Sequence, residues 1–142
     1  MKIGIILGSI REERSGASVA EWVVSQAAKR DDVTYELIDL KSFDVPLLTS
    51  ATVPGAANKQ YDDERVTRWS QTIDSYDGFI FVTPEYSRRV GGGVKDALDS
   101  LGSEWANKPV AFVSYGAEGG VRAVFESFRV SSVARCVGMW MV

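Results

Sequence analysis

The sequence predicts an α/β protein built on a doubly wound parallel sheet of about five strands. Short apolar runs alternate along the chain with segments of helical periodicity, in the order β-α-β-α-β-α-β-α-β. That alternation implies parallel strands, right-handed crossovers and helices on both faces. Polar or glycine-rich loops follow the first, third and fourth apolar runs. In open sheets of this kind ligands bind at such loops, outside the carboxyl ends of the strands. At 142 residues the chain has the size of one domain, residues 1–142, with a single sizeable core.

The first strand is the apolar run at residues 3–7. A small polar loop, Gly8-Ser9-Ile10-Arg11-Glu12-Glu13-Arg14-Ser15-Gly16, leads into a helix with Val19, Trp22, Val23 and Gln26/Ala27 on its apolar face. Asp31-Asp32 breaks that helix, and residues 33–40 alternate as a second strand. Phe43, Pro46, Leu47 and Leu48 make an apolar loop segment. Residues 49–58, rich in Ser, Thr, Pro, Gly and Ala, read as an exposed excursion. Val66, Trp69 and Ile73 lie at i, i+3 and i+7 of a second helix. The third strand, residues 79–82, is apolar without alternation, which suits a strand covered on both faces. Thr83-Pro84 is expected to end it, because proline cannot donate to a central ladder. A polar loop at 85–89 and three glycines, Gly91 to Gly93, then lead to a helix with Val94, Ala97, Leu98 and Leu101 on one face. Asn107-Lys108-Pro109 introduces a fourth strand at 110–114. A glycine-rich loop from Tyr115 to Gly120 precedes a fourth helix marked by Val121, Val124, Phe125 and Phe128. Residues 137–142 read as the start of a fifth strand.

Composition excludes several classes of function. A net charge of −3 argues against a nucleic-acid binder, which carries a basic stripe. One cysteine and no histidine leave no intrachain disulfide, no Cys/His zinc site and no Ser-His or Cys-His catalytic pair. Cys136 suits a small core or interface residue better than a redox thiol. No apolar run approaches the roughly 20 residues that span a bilayer. The amino end turns polar too soon for a signal peptide, so the expected location is cytoplasmic.

Three constellations could carry chemistry. The loop after the first strand has backbone amides, the positive end of a helix, the hydroxyls of Ser9 and Ser15, and the guanidinium groups of Arg11 and Arg14, all ending at Gly16. It lacks the Gly-Lys-Ser/Thr of a P-loop and the Gly-x-Gly-x-x-Gly of a dinucleotide site, so it points to a monophosphate. An ordinary polar turn with a serine cap would read the same way. The loop Pro84, Glu85, Tyr86, Ser87 and Arg88 offers a stiffened aromatic wall for a flat ligand, or else a surface loop with a partly buried tyrosine. No second titrating group pairs with Glu85 in the sequence. The loop Tyr115, Gly116, Gly119 and Gly120 lets backbone approach a ligand closely, or is a tight turn needing positive φ. Lys95, Asp96 and Asp99 suit solvation or a subunit contact better than catalysis. The flavodoxin-like strand order 2-1-3-4-5 brings the three loops to one crevice, where an FMN sits in such sheets.

The same residues give the chain its resemblance. It resembles the NADPH-dependent FMN reductases of the flavodoxin-like superfamily, which include quinone, chromate and azo-dye reductases. The motifs are Gly8-Ser9-Ile10-Arg11 with Arg14 to Gly16, Asp39-Leu40 with Phe43 and Pro46-Leu47, Trp69 before Ile73, Thr83-Pro84-Glu85-Tyr86, Val94 to Asp99, Lys108-Pro109, and Ser114-Tyr115-Gly116 with Gly119 to Ala123. The resemblance implies non-covalent FMN, with Ser9, Arg11, Ser15 and Gly16 on the phosphate. It places Pro84, Glu85, Tyr86 and Ser87 along the isoalloxazine, and Tyr115-Gly116 on its other side. It implies NAD(P)H as hydride donor, a small-molecule acceptor and a homodimer or homotetramer. An FMN-binding electron carrier and a non-catalytic truncated relative are the alternatives. Where the family usually has Asn-His or Asn-x-Ser and then Pro-Gly, this chain has Ser87-Arg88-Arg89-Val90 and three glycines. The glycines are expected to loosen that loop, and the arginines to favour an anionic acceptor or a nucleotide phosphate. The chain also ends early for the family, so the last strand and helix are expected to be incomplete and one sheet face partly bare.

Overall fold

The computed structural model describes residues 1–133 and 139–141, with side chains through residue 127. The elements are β1 (Lys2–Leu7), α1 (Gly16–Ala27), β2 (Thr34–Asp39), α2 (Glu64–Asp74), β3 (Gly78–Tyr86), β4 (Arg89–Val90), α3 (Gly92–Asp99), β5 (Val110–Tyr115), α4 (Val121–Val133) and β6 (Met139–Met141). Short 3-10 turns occupy Leu40–Phe43, Pro54–Ala56 and Ser103–Trp105. The parallel order is β2-β1-β3-β5-β6, with β4 antiparallel on the far end of β3. Without β4 this is the doubly wound, flavodoxin-like order expected. Leu7 lies opposite both Asp39 and Val82, and Pro84 opposite Tyr115. The loops after β1, β3 and β5 therefore leave from one rim.

Periodicity explains how the layers pack. Trp69 and Ile73 of α2 and Val94, Ala97 and Leu98 of α3 cover one sheet face, against Ile6, Phe79, Phe81 and Phe112. Trp105 sits inside that layer, with its ring 5.2 Å from Phe79 and 6.0 Å from Trp69. Rings of this size each contribute about 1.5–3 kcal/mol by burial alone. Ala20, Val23 and Ala27 of α1 cover the other face, on Ile5, Leu7 and Val82. That second face is the thinner one, and Ile80 and Val113 on it stay only half-buried.

Several elements differ from the sequence reading, each for a physical reason. Trp22 is exposed rather than on the packing face of α1. The helix turns its small residues Gly16, Ala20 and Ala27 to the sheet, with Val23 between them. β3 does not stop at Thr83-Pro84. Val82 directs its carbonyl to the β1 side, accepting from Gly8 N–H at 2.9 Å. Two residues on, the missing N–H of Pro84 points the same way, where β1 has already turned out; no ladder bond is lost. The expected polar loop at 85–89 is a hairpin, with Tyr86 opposite Arg89. Gly91 is the N-cap of α3, and Gly92 and Gly93 form its first turn, so the glycines do not loosen a loop. A Cβ on Gly93 would stand 3.0 Å from Ile10. In α4, Ala123, Val124 and Ser127 face inward while Val121 and Phe125 are exposed. Leu47 and Leu48 are exposed too, whereas Phe43 packs edge-on against Trp69 at 4.9 Å. Cys136, the Phe128 side chain and residues 137, 138 and 142 of the expected last strand lie outside the described residues. No helix among the described residues is long and apolar enough to cross a membrane.

The hairpin turn carries left-handed φ at both central residues, 50° at Ser87 and 65° at Arg88. Two-residue hairpin turns of this kind favour Asn-Gly. Non-glycine residues cost about 1–2 kcal/mol each in that conformation. The double change Ser87→Asn, Arg88→Gly is therefore expected to raise unfolding free energy by about 1–2 kcal/mol. Urea denaturation reads this directly, and an unchanged or lower midpoint would contradict the turn assignment.

Candidate functional site

The three rim loops border one cleft of about 230 Å³. Ser9, Arg11, Glu13, Arg14 and Ser15 line it from the β1–α1 loop, Pro84, Glu85 and Tyr86 from the end of β3, and Tyr115 and Gly116 from the end of β5.

The first loop is braced from within. Arg14 Nη1 donates to the Ser9 carbonyl at 2.6 Å, and Nη2 is bonded to the Asp39 carboxylate at the end of β2. Asp39 also accepts from the Lys41 N–H at 3.0 Å, so both its oxygens are engaged. Arg14 thus ties the loop to the neighbouring strand end while bordering the cleft. Ser15 stands at the N-cap of α1, yet its hydroxyl makes no cap bond. That hydroxyl and the first amides of α1 form a donor set at the positive end of a helix. Arg11 is exposed, and its guanidinium has no hydrogen bond or ion pair among the described residues. The Tyr86 ring lies beside it, with the guanidinium carbon 5.9 Å from the centroid.

The second wall is Tyr86. Its hydroxyl lies 3.3 Å from Ser9 Oγ, joining loops 77 residues apart. A Cβ on Gly91 would stand 3.3 Å from its ring. Glu85 has the partner that the sequence did not reveal. Its carboxylate accepts from the backbone N–H groups of Arg122 and Ala123 at 2.9 and 3.2 Å. It caps α4 and is not free to act as a base.

Tyr115 closes the third side. A Cβ on Gly16 would fall 2.2 Å from the Tyr115 hydroxyl, so only glycine lets that hydroxyl reach the start of α1. Burial, and then the neighbouring Tyr86, push the Tyr115 pKa above its ordinary value. The group therefore stays protonated near neutrality. A Cβ on Gly116 would stand 3.1 Å from Glu85 Cβ, so β3 and the third loop meet closely there. Gly119 and Gly120 hold the turn with φ of 75° and 72°.

Nine of the twelve residues singled out from the sequence thus share the cleft: Ser9, Arg11, Arg14, Ser15, Pro84, Glu85, Tyr86, Tyr115 and Gly116. Gly16, Ser87 and Gly119 do not line it, acting respectively through a close approach, a hairpin turn and a loop turn. Glu13 lines it and was missed; it has a left-handed φ of 44°, which nothing in its local sequence signals. The cleft brings the Ser9, Ser15 and Arg11 donors together with the phenol groups of Tyr86 and Tyr115.

The model of the NADPH-dependent FMN reductase family matches residues 1–142. The NAD(P)H-dependent FMN reductase ntnL of Nectria sp is 44% identical over 126 residues, covering 86% of this chain and 63% of the relative. An NAD(P)H-dependent FMN reductase of Schizosaccharomyces pombe is 35% identical over 119 residues, covering 84% of this chain and 60% of the relative. The chain thus spans under two thirds of the length of these relatives. Others are named NADPH azoreductase, in a Bacillus sp., and quinone reductase, in Pseudomonas putida. Among solved structures, FerB, a flavoenzyme NAD(P)H:(acceptor) oxidoreductase from Paracoccus denitrificans, superposes with a TM-score of 0.73 at 22% identity. That superposition covers 99% of this chain and 74% of the other, and it bears on the fold.

Proposed function

The chain belongs to the NADPH-dependent FMN reductase family, and from that premise we propose that it is an NAD(P)H-dependent, FMN-containing oxidoreductase whose cofactor lies in the three-loop cleft. The observation that carries the reading is the convergence of Arg11, Tyr86 and Gly116 on one cleft. The residues present fit a flat, singly phosphorylated group. The α1 amides, the uncapped Ser15 hydroxyl and the unpaired Arg11 guanidinium supply donors for one phosphate. Ser9 and Gly16 belong to the same end. Pro84, Glu85 and Tyr86 form the wall for the ring system, with Ser87 turning the hairpin beyond them, Tyr115 and Gly116 bordering the same cleft and Gly119 holding their loop. Arg14 contributes mainly by keeping the loop in place through Asp39.

FMN, when bound, supplies hydride uptake from NAD(P)H and its delivery to an acceptor. The protein's part is to bind and orient it and to leave access for donor and acceptor. The acceptor is a small molecule of the quinone, flavin, chromate or azo type, as the names of the relatives suggest. We extend the reading to a cytoplasmic protein and to a homodimer or homotetramer, the assembly alone being supported by the exposed side chains of Leu47, Val53 and Phe125.

Protein purified with FMN should be yellow and should oxidise NADPH with a quinone or ferricyanide. A colourless, inert protein defeats the reading; a yellow one that takes no hydride from NAD(P)H is an electron carrier instead. Arg11→Ala should weaken FMN binding by about 1.5–3 kcal/mol, because it removes a charge-assisted bond to phosphate. A fluorescence titration measures this, and unchanged affinity would take Arg11 out of the site.

A further inference from the structure

Two carboxylates fasten the β3–β4 hairpin to α4 from opposite directions. Glu85, on the outgoing strand, accepts from the first amides of α4. Glu126, one turn further along α4, accepts from the Val90 N–H at 2.8 Å and from Arg89 Nη1 at 2.9 Å, on the return strand. Glu126 does not line the cleft. Between these two attachments lies Tyr86, paired with Arg89 in the ladder and bordering the cleft.

The two bonds of Glu126 are not equal. Arg89 is 74% exposed, so its ion pair contributes little. Val90 is buried, and its amide would be left without a partner if Glu126 lost its acceptor oxygens. The next residue, Gly91, lies against the Tyr86 ring, so that a Cβ there would stand 3.3 Å from it. A shift of Val90 therefore reaches the ring by two routes, the ladder and the Gly91 contact.

We propose that Glu126 is a positioning residue: through the Val90 amide it sets the Tyr86 ring in the cleft and so tunes flavin binding without touching the flavin. The flavin part of this rests on the reading of the cleft as an FMN site; the clasp itself does not. The decisive group is an acceptor oxygen, not a charge.

FMN titrations of the full chain and its variants test this. Glu126→Leu should raise the dissociation constant about tenfold. Glu126→Gln, which keeps an acceptor oxygen, and Arg89→Ala should stay within about twofold. In a Tyr86→Ala background, Glu126→Leu should add nothing further, because the two act as one unit. An equal effect of Glu126→Leu with and without Tyr86, or none at all in a folded protein, overturns the proposal. If Glu126→Leu does not fold, Glu126→Asp, one methylene shorter, takes its place with the same sign expected. A measurement without flavin separates the two ideas. In cofactor-free protein Glu126→Leu should speed hydrogen exchange at the Val90 amide and move the Tyr86 ring resonances, while Glu126→Gln does neither. If the wild type takes up no FMN, the flavin reading falls, and that exchange experiment alone decides the clasp: still resonances overturn it.

Discussion

Glu104→Ala is expected to lower unfolding free energy by about 3–5 kcal/mol, although Glu104 does not line the cleft. The side chain is 0% exposed. It accepts from Ser70 Oγ at 2.6 Å, from the Tyr61 hydroxyl at 2.7 Å and from the Gly102 N–H at 3.0 Å. One carboxylate thus joins α2, the segment leading into it and the turn before Trp105. Removing it strands the buried Ser70 hydroxyl and two half-buried donors, Tyr61 and the Gly102 amide, at about 1–3 kcal/mol for a buried one before relaxation. Burial alone pushes the Glu104 pKa up, but the bonds from Ser70, Tyr61 and the Gly102 amide outweigh it, leaving the pKa below its ordinary 4.5. An acid with a depressed folded pKa stabilises the fold above its unfolded value and loses that contribution as pH falls through the folded one. Wild type should therefore weaken on acidification below pH 4.5 more steeply than Glu104→Gln. Urea midpoints of both proteins across that range measure it. Parallel slopes would mean that the carboxylate is not ionised in the fold.

Gly120→Ala is expected to cost about 2–4 kcal/mol and to weaken FMN binding, whereas Gly119→Ala should cost only about 1–2 kcal/mol. Both glycines have left-handed φ. A Cβ on Gly119 has open space, its nearest atom being Val121 Cγ2 at 3.9 Å. A Cβ on Gly120 would lie 2.3 Å from Ser114 Oγ and 2.7 Å from the Tyr115 backbone nitrogen. The backbone atom cannot swing aside, so the end of β5 must shift, and with it Tyr115 and Gly116 at the cleft. The Gly120 carbonyl also accepts from the Val124 N–H of α4 at 3.3 Å, so the helix start is disturbed. Thermal unfolding and FMN titration of the two variants side by side are the check. Equal losses would show that φ alone, and not the close approach, constrains position 120.

Much of the fold was legible because the signals are local. Trp69 and Ile73 fall on one face of any helix drawn through them, and the run at 79–82 has no polar face to expose. Turn residues mark the ends of the strands, so the rim that bears the loops follows from the strand order. The hairpin was not legible. Ser-Arg is a poor two-residue turn, and β4 is only two residues long; α4 holds it there through Glu126. Trp22 misled because a large apolar residue at helical spacing outweighs small ones in any pattern, yet small residues let a helix lie close to a sheet.

The candidate site divides in the same way. That Ser9, Arg11, Tyr86 and Gly116 lie at one end of the sheet is a consequence of element order, which the residues alone specify. Which of two neighbouring arginines is engaged is not. Arg14 meets Asp39 from 25 positions away while Arg11 keeps its charge free. The Glu85 carboxylate, unattached in the sequence, is committed to amides 37 and 38 positions on. Backbone preference and apolar spacing act over a few residues, so the chain by itself determines its strands, helices and loops. Hydrogen bonds and ion pairs form between whichever groups the packed sheet brings together, so the tertiary structure alone decides which polar groups remain available to a ligand.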